Sequence, residues 1–441
     1  MAEKINLRMV ALSMLNEYEN QGKYINLSLS SHKADNLSSD ERRFLTVLLY
    51  TAVEHKLTYD YYISALSERG IDKIDGVTKN ILRLGLCQLI DMQGVPAFAA
   101  VNETVKLSRN PGERSFVNGV LRAAQRRLGS LPLPDRAKNP ARYLSVKYSF
   151  PLWIVKRYIA IFGESEAESL LCHLGKIPPT DLTVNTCKIS REDFCKKLRV
   201  EGYGVTLSEL SPYSVRIEGS VDPRKLPGYS EGEFFVQDSA CSCAVYALEA
   251  KRGETLIDVC ACPGGKSFAT AIMMEDGGRV SSFDIHESKL SLIEEGAERL
   301  GLSSVSYAVR DARLPDESLL GKADKVICDV LCSGLGVLAK KPDLRYKSEE
   351  SIAELPSLQY EILSASSKYL KAGGRILYST CTLLPEENSA VVDRFLLENK
   401  NFRAVDFRIG SMKSENGRFT FCPHIHNTDG FFVSLLEKES P

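Results

Sequence analysis

Leu256-Ile257-Asp258-Val259-Cys260-Ala261-Cys262-Pro263-Gly264-Gly265-Lys266-Ser267 reads as a short apolar strand, a turn with paired glycines and the start of a helix. The glycines let a ligand approach the backbone closely, and the helix presents its N-terminus to that ligand. Further apolar strands lie at 279–283, 305–309, 325–328 and 375–378. The spacers between them are long enough for crossover helices, which predicts a parallel, doubly wound α/β sheet of Rossmann-like type from residue 241 onward.

In such a sheet, ligands bind beyond the carboxyl ends of the strands. Asp284 follows the second strand, Asp311 the third and Asp329 the fourth. Any one of these aspartates alone reads as a cap or turn residue, but three at successive strand ends point to a ligand site. A carboxylate about twenty residues past the glycines suits both hydroxyls of a ribose, so an adenosine-bearing cofactor is expected. Residues 260–267 differ from a phosphate-binding P-loop only by Cys260 at the first glycine position, and Asp329 matches the magnesium-binding aspartate of an ATPase. The missing glycine and the acid at Asp284 weigh against that nucleotide-hydrolase reading.

Two cysteines follow strands: Cys332 in Asp329-Val330-Leu331-Cys332-Ser333-Gly334, and Cys381 in Tyr378-Ser379-Thr380-Cys381-Thr382. An isolated pair of cysteines is ordinarily buried and structural. At a ligand-binding edge, a thiolate can add to C6 of a pyrimidine and turn C5 into an enamine carbon that accepts a methyl group; a second thiol can assist breakdown of the adduct.

The chain has 441 residues, enough for several domains, and its 44% hydrophobic and 26% charged residues exclude a mostly disordered, collagenous or coiled-coil protein. Residues 1–130 repeat apolar positions at helical spacing, as in Leu7, Val10, Ala11, Met14, Leu15 and Tyr18, which predicts an all-α domain. Ser38-Ser39-Asp40 offers an N-cap, and 81–90 reads as a helix at a bundle centre. Pro132, Pro134 and Pro140 mark a linker over 131–140. Residues 141–240 combine a helical connector with a small α+β module, whose strands fall near 182–185, 213–217 and 233–236 and whose helix covers 191–201. Residues 241–441 form the α/β domain.

The net charge of −1 conceals a basic stretch. Arg109, Arg114, Arg122, Arg126, Arg127, Arg136, Lys138, Arg142, Lys147, Lys156 and Arg157 stand against Glu113 and Asp135. Such a cluster reads either as solvated helix faces or as a phosphate-backbone contact. The twelve cysteines read as reduced thiols, and the one-residue spacing of Cys241/Cys243 and Cys260/Cys262 does not suit zinc. His424 and His426 lack a partner set, so no metal is expected. No apolar run is long enough for a membrane span, and Glu3, Lys4, Arg8, Glu17 and Glu19 occupy the start where a signal peptide is apolar; a cytoplasmic protein is expected.

These residues resemble the RNA cytosine-5 methyltransferases of the Sun/RsmB type, in the RsmB/NOP family. The most specific matches are Asp258 to Lys266, Asp329 with Cys332-Ser333, and Ser379-Thr380-Cys381. Lys341-Pro342-Asp343-Leu344, Lys371-Ala372-Gly373-Gly374, Pro385-Glu386-Glu387-Asn388 and Asp429-Gly430-Phe431-Phe432 support them. The resemblance covers nearly the whole chain. It implies a NusB-like helical RNA-binding domain over 1–130, a module like an RNA-recognition fold within 141–240, and a class I methyltransferase domain over 241–441.

The implied activity is S-adenosylmethionine-dependent methylation of cytosine C5 in small-subunit (16S) rRNA. Cys381 is then the nucleophile at C6, Cys332 the thiol that helps release the product, and Asp329 a partner of the cytosine N3 edge. Cys260, Ala261, Cys262, Pro263, Gly264, Gly265, Lys266 and Asp284 are expected against the methionine and ribose of the cofactor, Asp311 near its adenine, and Asp329 also among the cofactor-binding residues. RNA is the expected partner of a monomeric enzyme. Two other readings remain: a tRNA cytosine-5 methyltransferase, and an RNA-binding or antitermination-like factor with an inactive catalytic domain. The chain departs from the family pattern at Val330-Leu331, where Ala-Pro is usual, and at Cys262, where alanine is common. Proline would fix the backbone that aims Asp329 and Cys332, so a looser loop or altered product release is expected.

Overall fold

The computed structural model describes residues 5–22, 25–29, 37–67, 69–219, 221–410 and 412–440; Glu3 and Lys4 lie outside the described residues. The chain divides into two units, one of residues 1–175 with 341–346 and the other of residues 176–340 with 347–441.

The first unit is all helical, from Leu7–Gln21 to Glu164–Leu174. Ser38 caps the helix Ser39–Glu54 in a reciprocal capping box with Glu41. The helix Gly76–Ile90 lies at the centre with Ile81, Leu82, Leu84, Leu86 and Cys87 buried. Gly85 allows this close packing, since a Cβ there would fall 2.6 Å from Leu121 Cδ2. The proline-marked stretch 131–139 contains no helix or strand. The helices Pro140–Tyr148, Leu152–Phe162 and Glu164–Leu174 pack within this same unit. So does 341–346: Arg345 is fully buried, donates to Glu54 O at 3.1 Å and lies 4.1 Å from the centre of the Phe150 ring.

The second unit begins with a small antiparallel sheet of β1 (Thr180–Val184), β2 (Val205–Leu207), β3 (Ser214–Ile217) and β4 (Phe234–Val236), in the order β2-β3-β1-β4. The helix Arg191–Val200 covers it, capped by Ser190 and packed through Phe194 against Phe234.

The α/β part then builds β5 (Thr255–Asp258), β6 (Arg279–Asp284), β7 (Val305–Val309), β8 (Ala323–Asp329) and β9 (Leu370–Thr380), all pairing in parallel in the order β9-β8-β5-β6-β7. Leu256, Ile257, Val280, Val326, Ile327, Ile376 and Leu377 are buried, as strands covered on both faces require. The sheet continues beyond the parallel core: after β10 (Phe402–Ala404), the short pair β11 (Arg408–Ile409) and β12 (Met412–Lys413), and β13 (Arg418–Phe421), the chain returns as β14 (Phe431–Lys438). β14 is antiparallel to β9, β10 and β13, so the sheet is mixed. A strand entering from the Asp429-Gly430 turn needs no crossover helix, so the αβ alternation that marks the other strands is missing there.

Candidate active site

The parallel register brings the carboxyl ends of β5, β6, β8 and β9 together. Asp329, the last residue of β8, lies opposite Ser379 of β9, and Val330 N donates to Ser379 O at 3.1 Å. Cys332 and Cys381 emerge from adjacent strands with their sulfurs 3.2 Å apart. Cys332 is buried and Cys381 half-buried.

Asp329 is held from two sides. Lys266 Nζ donates to Oδ2 at 2.5 Å, and Ser379 Oγ donates to Oδ1 at 2.6 Å. Burial favours the neutral amine of Lys266, but the carboxylate beside it outweighs that and holds the lysine above its ordinary range. The hydrogen bond to Cys332, burial and the nearby carboxylate push the Cys381 thiol up, so it rests as the neutral thiol.

The glycine turn takes the conformation the sequence demands. Gly264 has φ +109°, and a Cβ on it would fall 2.3 Å from Phe268 Cζ. Ala261 N donates to Phe283 O at 2.7 Å, which ties this turn to β6. Asp284 accepts from Cys262 N at 3.2 Å and His286 N at 3.0 Å. Burial and Asp284 push the Cys262 thiol up to about 12, and burial pushes Cys260 well up, so neither is a ready nucleophile. Asp311 follows β7 and pairs with Arg313 at 2.5 Å, which lowers its pKa.

Several residues at the site went unassigned by the sequence. Asp258 is buried at the end of β5; burial raises it to about 7, Ser267 Oγ donates to Oδ2 at 2.8 Å, and Oδ1 has no partner among the described residues. Gly336 threads between two segments, with Gly336 N on Cys381 O and Gly430 N on Gly336 O, each at 2.8 Å. Lys340 Nζ bridges Asp238 at 2.8 Å and Asp429 at 2.7 Å, fixing the turn before β14. Gln359 and Glu387 flank Cys332. The acid-rich motifs around 387 and 429 were visible as sequence, whereas Gln359 carried no signal.

The basic stretch is partly neutralised within the first unit. Arg109 pairs with Glu113 and Asp75, Arg136 with Glu164 and Glu168, and Lys147 with Glu168, while Arg122 bonds Asn102 and Gln125. Arg114, Arg126, Arg127, Arg142 and Lys156 are exposed, with no side-chain partner among the described residues. No group of His, Cys, Asp and Glu suited to a metal occurs among the described residues, and no described helix is long and apolar enough to cross a membrane.

Comparison with known proteins accounts for both units. The family described as 16S rRNA methyltransferase RsmB/F matches residues 245–437, the NusB family 5–126, and the ferredoxin-like domain of RsmF/B-like methyltransferases 150–223. The probable ribosomal RNA small subunit methyltransferase B of Bacillus subtilis (strain 168) is 34% identical, over 99% of this chain and 100% of that protein. The chain belongs to the RsmB/F family of 16S rRNA methyltransferases. The protein of the same name from Synechocystis sp. is also 34% identical to this RsmB/F chain, over 98% of it and 100% of the relative. Among solved structures, that of PH0851 has a TM-score of 0.81 at 26% identity, covering 99% of this chain and 100% of the other. NSun6 from Pyrococcus horikoshii with SFG shares the fold at a TM-score of 0.61 and 24% identity, over 67% of this chain and 100% of that one. The NusB-like helical domain and the methyltransferase domain expected from the sequence are therefore present, and the small α+β module expected between them matches a ferredoxin-like domain.

Proposed function

We propose that this protein, acting as a monomer in the cytoplasm, methylates C5 of a cytosine in small-subunit rRNA with S-adenosylmethionine, through a covalent bond between Cys381 and C6. The observation that carries this reading is the pair of sulfurs 3.2 Å apart beside an aspartate gripped by Lys266 and Ser379. A methyltransferase acting on nitrogen or oxygen has no need of such a thiol pair, whereas C5 of cytosine is not nucleophilic until a nucleophile adds at C6.

The residues around the glycine turn fit S-adenosylmethionine. Asp284 offers a carboxylate at a strand end for a ribose diol, and buried Asp258 has a free oxygen suited to a cationic ligand. When bound, the cofactor supplies an electrophilic methyl group on a positively charged sulfur. Cys260 to Lys266 would provide the backbone to hold it, and Asp311 would face its adenine.

The chain's own groups then divide the work. Asp329 hydrogen-bonds the N3 edge of a cytosine taken out of its stack. Cys381 gives its proton to solvent and its sulfur bonds C6; the C5=C6 electron pair moves to C5 and forms the bond to the methyl group. The C5 proton is then lost to a base, its C–H pair re-forms C5=C6, and the S–C6 bond breaks with its pair leaving on the Cys381 sulfur; Cys332 assists this release. Arg114, Arg126, Arg127, Arg142 and Lys156 supply charge for phosphates of the bound RNA.

Labelled S-adenosylmethionine with deproteinised small-subunit rRNA, and tRNA in parallel, tests the reading. Label is expected at a cytosine C5 of rRNA and lost in Cys381→Ala. Label confined to tRNA would overturn the substrate, and transfer that survives Cys381→Ala would overturn the covalent route.

A further inference from the structure

The backbone around Cys332 is held by side chains that the proposed mechanism does not use. Gln359 Nε2, from the helix Leu355–Ser366, donates to Leu331 O at 3.0 Å. On the other side of the cysteine, Ser333 N donates to Glu387 Oε2 at 2.8 Å. Gln359 Nε2 also donates to that same Oε2 at 2.9 Å, which closes the two grips into one clamp. The Glu387 turn is itself fixed, since Tyr378 OH donates to Glu387 O at 2.6 Å. It reaches the second cysteine loop through Asn388 Nδ2 on Thr382 O at 3.0 Å, and Ser333 Oγ closes the circuit on Thr382 Oγ1 at 2.8 Å.

Energetics argue against a purely structural purpose. Glu387 is 1% exposed and forms no salt bridge among the described residues, while its Oε1 and Gln359 Oε1 have no hydrogen-bond partner there. Burying a carboxylate without a partner cation is costly even when one of its oxygens is hydrogen-bonded. Leu331 is 63% exposed, so its side chain packs too little to hold the loop where the family pattern has proline. Cys381 has independent support, because its strand pairs with β14 through Thr380 and Phe432 and its carbonyl accepts from Gly336 N. The Cys332 loop is also held by Ser333 Oγ on Thr382 Oγ1 and by Lys347 Nζ on Ser333 O at 3.0 Å, but the clamp is what grips both peptides that flank Cys332.

We infer that Gln359 and Glu387 are positioning residues that aim Cys332 at the C6 adduct, so that losing the clamp slows adduct release more than methyl transfer. This rests on the covalent reading above. A displacement of about 1 Å in a reacting group is enough for a large rate loss, and here it falls on the release thiol alone.

The experiment follows one RNA turnover with labelled cofactor and small-subunit rRNA, scoring methyl incorporated and RNA that stays bound to protein after denaturation. Gln359→Met keeps volume, removes the grip on Leu331 O and leaves the Glu387–Ser333 bond; Glu387→Ala removes the Ser333 grip and the bond that ties Gln359 to it; and Glu387→Gln restores an acceptor for Ser333 N. In Gln359→Met and Glu387→Ala, first-turnover transfer is expected to hold within about twofold while denaturation-resistant adduct rises about tenfold, with near-parental behaviour in Glu387→Gln. Thermal unfolding identifies folded variants, and if Glu387→Ala does not fold, Gln359→Met decides. Transfer and release that fall together without adduct would overturn the clamp's role. Absence of any Cys381-dependent transfer by the parent protein would instead overturn the covalent reading beneath it.

Discussion

Lys266 offers the sharpest test of how the site holds its carboxylate. Lys266→Met removes the ammonium 2.5 Å from Asp329 while keeping most of the side chain's bulk. A charge-assisted hydrogen bond of this kind contributes about 2 kcal/mol, tempered by the 27% exposure of the Asp329 side chain, which lets water replace part of the interaction. If that orientation matters only when the base is bound and reacting, kcat/KM for methyl transfer falls by about thirtyfold. Ser379→Ala removes the neutral grip on the other oxygen and costs about 1 kcal/mol, or roughly fivefold. The two bonds hold opposite oxygens of one carboxylate, so either loss frees it to rotate and the second loss costs less than the first. The double variant should therefore fall short of the summed losses by about 1 kcal/mol, measured as kcat/KM for all four proteins at one pH with thermal unfolding as the folding control. Additive losses would refute the idea that both residues act through the orientation of Asp329. Unchanged activity in Lys266→Met would refute any role for the pair in the reaction.

Other outcomes follow from particular interactions. Gly336→Ala would put a Cβ 1.9 Å from Gly430 O and 2.8 Å from Cys381 O, so a backbone shift costing about 1–3 kcal/mol should lower both the unfolding midpoint and methyl transfer. The Cys381 thiol is held up first by its hydrogen bond to Cys332, so less of it is thiolate at pH 8 than in a free cysteine; Cys332→Ala should raise its alkylation rate by iodoacetamide, followed by mass spectrometry, and a fall would contradict that cause. RNA affinity should drop steeply with salt, and Arg126→Ala with Arg127→Ala should reduce the log–log salt slope by about one for each phosphate left without its cation. Arg136→Ala should leave it unchanged, because Glu164 and Glu168 already neutralise that guanidinium. Leu331→Pro should change adduct release by less than about twofold, because Gln359 already fixes the Leu331 carbonyl and proline would rigidify a loop that is held.

Much of the fold was legible because its signals are local. The turn at Gly264-Gly265 needs glycine for steric reasons that any sequence reveals, and Asp284, Asp329, Cys332 and Cys381 stand directly after apolar runs that β-pleating can bury. Topology then does the rest, since parallel pairing of β5, β8 and β9 places residues far apart in sequence at one edge. What escaped reading depends on distant partners. Gln359 sits among ordinary helix formers, and nothing local distinguishes a polar residue bound for burial from one facing solvent; only Leu331 O and Glu387 give it meaning. The basic stretch carries less free charge than its sequence suggests for the converse reason: Glu113 within it is joined by Asp75, Glu164 and Glu168 from outside in pairing Arg109 and Arg136. The loop at Val330-Leu331 joins both lessons. A missing proline suggests a looser loop when a sequence is read residue by residue, yet a peptide can be fixed equally well by hydrogen bonds to its two faces. Proline acts on the unfolded chain by narrowing it, whereas the Gln359–Glu387 clamp acts on the folded chain alone, at the cost of a buried carboxylate. A loop held in the second way is set by whatever sets Glu387, and for Cys332 that is the carboxylate that accepts from Ser333 N and Gln359 Nε2. Cys381 keeps its own support from β14 and Gly336, so the clamp bears on release and leaves addition to the strand pairing.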